Sequence, residues 1–149
     1  MHDVLHREIQ VTDEMLDYNR HVNNIVFVHW MQDVAVEHAT VNGCTKEVYE
    51  RLKVSWVARS HHIDYLASAL PGDTVIAKTW LADNRKVSCR RKYLFFRKNP
   101  DGRPGDLLAK AETEWVFVNS ETGRPMKIDP WVTSRFRMLG ETPDEIISD

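Results

Sequence analysis

Asp17, Asn19 and His21 occupy alternate positions in the segment DYNRHVNNIVF (17–27), directly ahead of a strongly apolar run. An acid, an amide and an imidazole at that spacing can share one small site. If Asn23 or Asn24 caps a helix starting there, its first backbone N–H groups, near Asn24 to Phe27, face the loop that carries the three side chains. Unpaired donors and the helix dipole stabilise a carbonyl oxygen gaining negative charge, the assistance that acyl transfer requires. Asp17 would then activate a water or attack directly, with Asn19 and His21 holding the water, the acid or the carbonyl. Residues of these types also serve as caps and turn formers, and residue type alone favours that plainer role. A calcium loop fails on spacing, because Val22 stands where Gly is required and Val28 where a bidentate Glu would be.

The elements that must hold such a loop can be read from hydrophobic periodicity. Residues 4–11 alternate as a half-buried strand. Residues 24–42 form a helix whose apolar surface (Phe27, Trp30, Met31 and Val34, extended by Ile25, Val28, Ala35, Val36 and Ala39) runs round most of the cylinder. Only His29, Asp33, Glu37 and Thr40 make a polar stripe, so the helix is expected to be enclosed on most sides, with Gly43 stopping it in a left-handed conformation. Strand-rich segments follow at 54–66, 74–82, 87–98 and 107–118, separated by LPGD, DNRK and NPDGRPGD. Links that short imply antiparallel pairing, since parallel crossovers need about a dozen residues or more. The expected class is α+β: a strand, one long helix, then four antiparallel strands able to curl around it.

Composition narrows the function. The chain has 149 residues, 42% of them hydrophobic and 28% charged, with a formal net charge of −2. One domain spanning 1–149 is the default, with 141–149 an acidic, flexible tail. The charge argues against a general nucleic-acid binder, and no apolar run approaches the roughly 20 residues of a membrane helix. Without a signal-like start, and with only Cys44 and Cys89, a cytoplasmic location is expected.

Other candidates are weaker. His61 and His62 would face opposite ways on a strand and could not share a metal without a bulge. His29, Asp33 and Glu37 form an i, i+4, i+8 stripe better read as a solvated or interface face, with His29 and Asp33 paired, and no metal site is expected. Cys44 and Cys89 have no motif around them. Arg59 and Arg91 share strand parity with apolar neighbours, which implies an interface, a phosphate-bearing ligand or a bulge.

The string D-x-N-x-H-V-N-N (Asp17, Asn19, His21, Val22, Asn23, Asn24) resembles the signature of hotdog-fold thioesterases, in the acyl-CoA and acyl-ACP branch related to 4-hydroxybenzoyl-CoA thioesterase. HIDYLASALPGD (62–73) and a late GRP extend the likeness over nearly the whole chain. The resemblance implies an antiparallel sheet wrapped round a long helix, and a homodimer or homotetramer with acyl sites between subunits. It makes Asp17 the catalytic acid, with Asn19 and His21 matching the amide and imidazole of the plant-type acyl-ACP thioesterase motif. Amides of Asn24 and Ile25 would polarise the carbonyl, and Asp33 would be a further acidic site residue. Phe27 and Gln32 depart from the Tyr and Glu often found at those positions. Arg90, Arg91 and Lys92 are candidates for the coenzyme A phosphates. The expected activity is acyl-CoA hydrolysis without a cofactor; acyl-ACP hydrolysis and non-catalytic acyl-thioester binding are the alternatives.

Overall fold

The computed structural model describes residues 2–142. Its elements are β1 (Val4–Gln10), α1 (Asn24–Val41), α2 (Lys46–Leu52), β2 (Val54–Tyr65), β3 (Thr74–Asn84), β4 (Ser88–Lys98), β5 (Pro104–Asn119) and the short α3 (Pro130–Thr133). The five strands form one sheet in the order β1-β3-β4-β5-β2, every neighbouring pair antiparallel. The helix α1 begins where Asn23 caps it, the Asn23 Oδ1 accepting from the Ile25 amide at 3.1 Å. It stops before Gly43, which takes φ +95°, a conformation that costs glycine little.

Strand alternation gives the sheet two buried faces. Val75, Ala77, Tyr93 and Phe95 face α1 and pack against Phe27, Trp30, Met31 and Val34. Phe27 is gripped edge-on by Trp30 at 4.8 Å and by Phe95 at 5.4 Å, and truncating so buried a ring to Ala typically costs about 3–5 kcal/mol. Ile76, Trp80, Leu94 and Phe96 point to the other face, where Leu107 of the neighbouring strand and Leu139 pack against them. The run Val75–Ala82 is buried at every residue because β3 is covered on both faces.

Two sequence expectations change. The helix is not enclosed on most sides within one chain: Ile25 is 60% and Val36 66% exposed, on the same side as His29, Gln32 and Asp33. The apolar surface counted on the wheel therefore includes a solvent-facing stripe. The helix α2 has no counterpart in the periodicity, since its seven residues are too few to display a helical period. The proposed tail falls mainly on 143–149, outside the described residues; Glu141 is held by Arg90 at 2.6 Å and Lys92 at 2.7 Å. Among the described residues, no helix is long and apolar enough to cross a membrane.

Candidate active site

A small closed loop presents Asp17. Leu16 and Val22 form an antiparallel bridge across it, the Asp17 amide donates to the His21 carbonyl at 2.8 Å, and Arg20 turns the chain with φ +63°. The half-buried Asp17 carboxylate closes the turn from inside: Oδ1 accepts from the Asn19 amide at 2.9 Å and the His21 amide at 3.2 Å. Its other oxygen, Oδ2, has no hydrogen-bond partner among the described residues. One oxygen is thus fixed by backbone and the other is available to a proton. The turn-forming role and a catalytic role are compatible because they use different atoms.

The His21 ring reaches Ser68 Oγ from Nδ1 at 3.2 Å, while the Asn19 side chain is exposed and unpaired among the described residues. The segment 66–73 backs the loop, with the Val22 amide donating to Ala69 O at 2.9 Å. Arg97 anchors that segment through Ser68 O at 2.6 Å and Asp73 Oδ2 at 2.9 Å. At the helix start, Asn24 has no acceptor for its amide among the described residues, and its carbonyl accepts from the Tyr65 hydroxyl at 3.0 Å. The expected Ile25 donor is corrected: its amide is spent on the Asn23 cap. Tyr65, Ser68 and Arg97 were not legible as site residues by type, although Tyr65 and Ser68 lie in the segment 62–73 that carries part of the resemblance.

Asp33 is not brought to this loop. It is exposed, and at 1.5 Å rise per residue it stands about 13 Å along the axis from Asn24. Within the chain the polar stripe also divides differently from expectation, Glu37 pairing with Arg7 of β1 at 3.4 Å. No bond joins His29 to Asp33 among the described residues. His62 pairs with Asp64 at 3.2 Å and His61 meets Thr113 Oγ1 at 2.7 Å, their rings on opposite strand faces.

The assignment of Arg90, Arg91 and Lys92 to phosphates is also corrected. Strand alternation sends Arg91 to the helix side and the other two to the opposite face. Arg90 is occupied by Asp83 at 2.6 Å, Glu112 at 3.2 Å and Glu141, and Lys92 by Glu141, whose carboxyl these two cations hold down to about 2. Arg91 is buried, its Nη1 donating to His38 Nδ1 at 2.9 Å and Thr79 Oγ1 at 3.0 Å. His38 in turn donates from Nε2 to the His2 carbonyl at 2.7 Å, which fixes the neutral tautomer. Burial, aided by the Arg91 charge, lowers its pKa to about 4.

Beside Arg91 lies a cavity of about 670 Å³ between the distal half of α1, α2 and the sheet. Ala35, Ala39, Val54, Trp56, Leu81 and Trp115 supply most of its apolar wall. No residue of the Asp17 loop lines it. Among the described residues no three His, Cys, Asp or Glu side chains gather as a metal site would require.

A five-stranded antiparallel sheet packed on one long helix, with a capped helix start facing an acid-bearing loop, is the hotdog architecture. The chain belongs to the thioesterase-like superfamily, whose family model matches residues 11–136. It is 30% identical over 105 residues to the chloroplastic palmitoyl-acyl carrier protein thioesterase of Cuphea hookeriana, covering 66% of this chain and 24% of that protein. It is 25% identical over 112 residues to oleoyl-acyl carrier protein thioesterase 1 of Arabidopsis thaliana, covering 71% of this chain and 30% of that protein. The chain thus spans about a quarter to a third of the length of these curated relatives. Among solved structures, an aspartate-to-asparagine mutant of 4-hydroxybenzoyl CoA thioesterase complexed with 4-hydroxybenzoyl CoA superposes with TM-score 0.82 at 12% identity, covering 90% of this chain and 99% of that one. A Staphylococcus aureus protein in complex with CoA gives 0.81 at 17% identity, covering 96% and 91%.

Proposed function

We propose that this protein hydrolyses acyl-CoA thioesters to a carboxylic acid and free CoA. The observation that carries the reading is the division of labour at Asp17: Oδ1 is fixed by two backbone amides while Oδ2 is unbonded among the described residues, on the loop leading to the unpaired Asn24 amide. Oδ2 takes a proton from water, the oxygen attacks the thioester carbon, and the oxyanion is met by the Asn24 amide and the helix terminus. The C–S bond then breaks. The leaving thiolate has a pKa near ~8.5 and takes back the proton held by Asp17, so no strong general acid is needed. His21, oriented by Ser68, and the exposed Asn19 amide flank the position where water and thioester would meet.

Acyl-ACP is a second reading, favoured by the curated plant relatives, whose names give acyl carrier protein as the carrier. The site is completed by a second copy of the chain. Strand β2 is a sheet edge with Val57 51% and Tyr65 42% exposed, continuous with the exposed Ile25 and Val36 of α1. Two-fold pairing of that edge runs the two helices antiparallel, setting the Asp17 loop of one copy beside the distal helix half and cavity of the other. Light scattering should therefore give a dimer or tetramer; a fully active monomer would contradict this arrangement.

Thiol release from short, medium, long-chain and aromatic acyl-CoAs, and from matching acyl-ACPs, tests the activity and the carrier together. Asp17→Asn keeps an oxygen for the two turn amides but removes the base, so kcat should drop by about 10^2 to 10^4 with the fold retained. Equal activity in both proteins would reduce the loop to a turn and a helix entry.

A further inference from the structure

Arg91 poses a charge problem that the fold does not solve. It is 4% exposed, and no carboxylate pairs with it among the described residues. Its Nη1 is spent on His38 and Thr79, leaving the donors of Nε and Nη2 without partners among the described residues. The groups around it are neutral at pH 7: His38 is held as the uncharged tautomer, burial pushes the Cys89 thiol up to about 12, and it also raises Tyr49 and Tyr93. A buried cation without a counter-charge is among the costliest arrangements in a protein interior.

The space beside it is suited to relieve that cost. Arg91 is the one buried cation of a lining whose apolar part includes Ala35, Ala39, Trp56, Leu81 and Trp115, while the charged residues Lys46 and Glu50, paired with each other at 3.9 Å, and the polar Gln32, Thr40 and Ser120 belong to its solvent-facing part. A volume of about 670 Å³ falls within the about 300–1,000 Å³ usual for small-molecule sites. Apolar walls call for an alkyl chain, and a planar guanidinium with free donors calls for a carboxylate, which it can meet with two parallel hydrogen bonds.

We propose that this cavity binds an alkyl chain ending in a carboxylate, with the carboxylate on Arg91 and the chain along Ala35, Ala39 and Trp56. No residue of this chain's own Asp17 loop lines the cavity, so binding of a free acid stands apart from the hydrolysis reading, whereas the thioester source rests on that reading and on the pairing that brings the second copy's loop to the cavity. Two sources carry this chemistry: a free fatty acid, and the far end of a dicarboxylic acyl group still attached to its thiol.

The test is calorimetric titration of the full chain with dodecanoate, dodecanol and dodecyltrimethylammonium below their micelle concentrations. Dodecanoate should bind at least tenfold more tightly than either of the others, and Arg91→Met should remove that preference while dodecanol binding persists. Equal affinity for the three headgroups, or no binding of dodecanoate, would overturn the proposal on wild-type protein alone, whether or not the variant folds. Thiol release separates the sources. A several-fold lower KM for the CoA monothioester of dodecanedioic acid than for dodecanoyl-CoA, lost in Arg91→Met, assigns the carboxylate to the substrate's far end; no such difference, with dodecanoate bound, assigns it to the free acid. Dodecanoate binding without turnover of any thioester would sink the hydrolysis reading and leave this one standing.

Discussion

Tyr65, the last residue of β2, donates its hydroxyl to the carbonyl of Asn24, the first residue of α1, across 41 positions of sequence and 3.0 Å of space. Its ring also meets Phe27 edge-on at 5.6 Å. The edge strand thereby fixes the orientation of the helix turn whose Asn24 amide is unspent. Burial raises the phenol pKa, so Tyr65 remains a donor throughout the neutral range.

Tyr65→Phe isolates that bond, because the ring contact with Phe27 survives. A neutral hydrogen bond contributes about 0.5–1.5 kcal/mol net, which as lost transition-state positioning corresponds to roughly a fivefold fall in kcat. KM should move less than twofold. Steady-state thiol release, with circular dichroism melts as a control on folding, separates positioning from simple destabilisation: an unchanged kcat would show that Tyr65 does not orient the helix terminus.

The Asn23 cap makes a purely structural prediction. Its Oδ1 satisfies the Ile25 amide, and replacing such a cap by Ala typically costs about 0.5–2 kcal/mol. Urea unfolding of Asn23→Ala should show a loss of that size, whereas Asn23→Ser, which retains a cap oxygen, should stay within a few tenths of a kcal/mol of wild type. Equal losses in both variants would mean that Asn23 is held by contacts other than its cap.

How far these relationships could be read from sequence depends on their range. The helix over 24–42 and the four later strands follow from local periodicity, and the structure places them within a few residues as Asn24–Val41, Val54–Tyr65, Thr74–Asn84, Ser88–Lys98 and Pro104–Asn119. The grouping of Asp17, Asn19 and His21 on one loop was visible because it is local. Tyr65, Ser68 and Arg97 were not, since their roles depend on strand β2 and its following segment returning to the helix start. His38 escaped notice as an internal helix residue: its importance appears only when β4 delivers Arg91 across from it. The cation cluster at 90–92 misled for the opposite reason, because adjacency in sequence is separation in a strand.

That separation has a kinetic consequence. Arg90 and Lys92 are already engaged by Asp83, Glu112 and Glu141. Arg90→Ala and Lys92→Ala should therefore leave KM for acyl-CoA within about twofold of wild type, and their partly exposed pairs should contribute on the order of 1 kcal/mol each to stability. A several-fold rise in KM in either variant would restore the phosphate role that the geometry removes.

His38 should make stability depend on pH in a defined window. The ring is fully buried, donates from Nε2 to the His2 carbonyl and accepts from Arg91 at Nδ1, so a second ring proton would displace the arginine and bury two adjacent cations. Its pKa falls from the ordinary 6.5 to about 4, by burial first and the Arg91 charge second. Between those values the unfolded chain binds a proton that the folded chain does not, so stability is complete above pH 6.5 and declines as the pH falls towards 4. The full excursion corresponds to roughly 3 kcal/mol. Urea midpoints from pH 4 to 8 should show that decline in wild type, approaching one proton taken up on unfolding. In His38→Gln the overall stability should be lower, but this part of the slope should vanish; an unchanged slope would place the titration on another group.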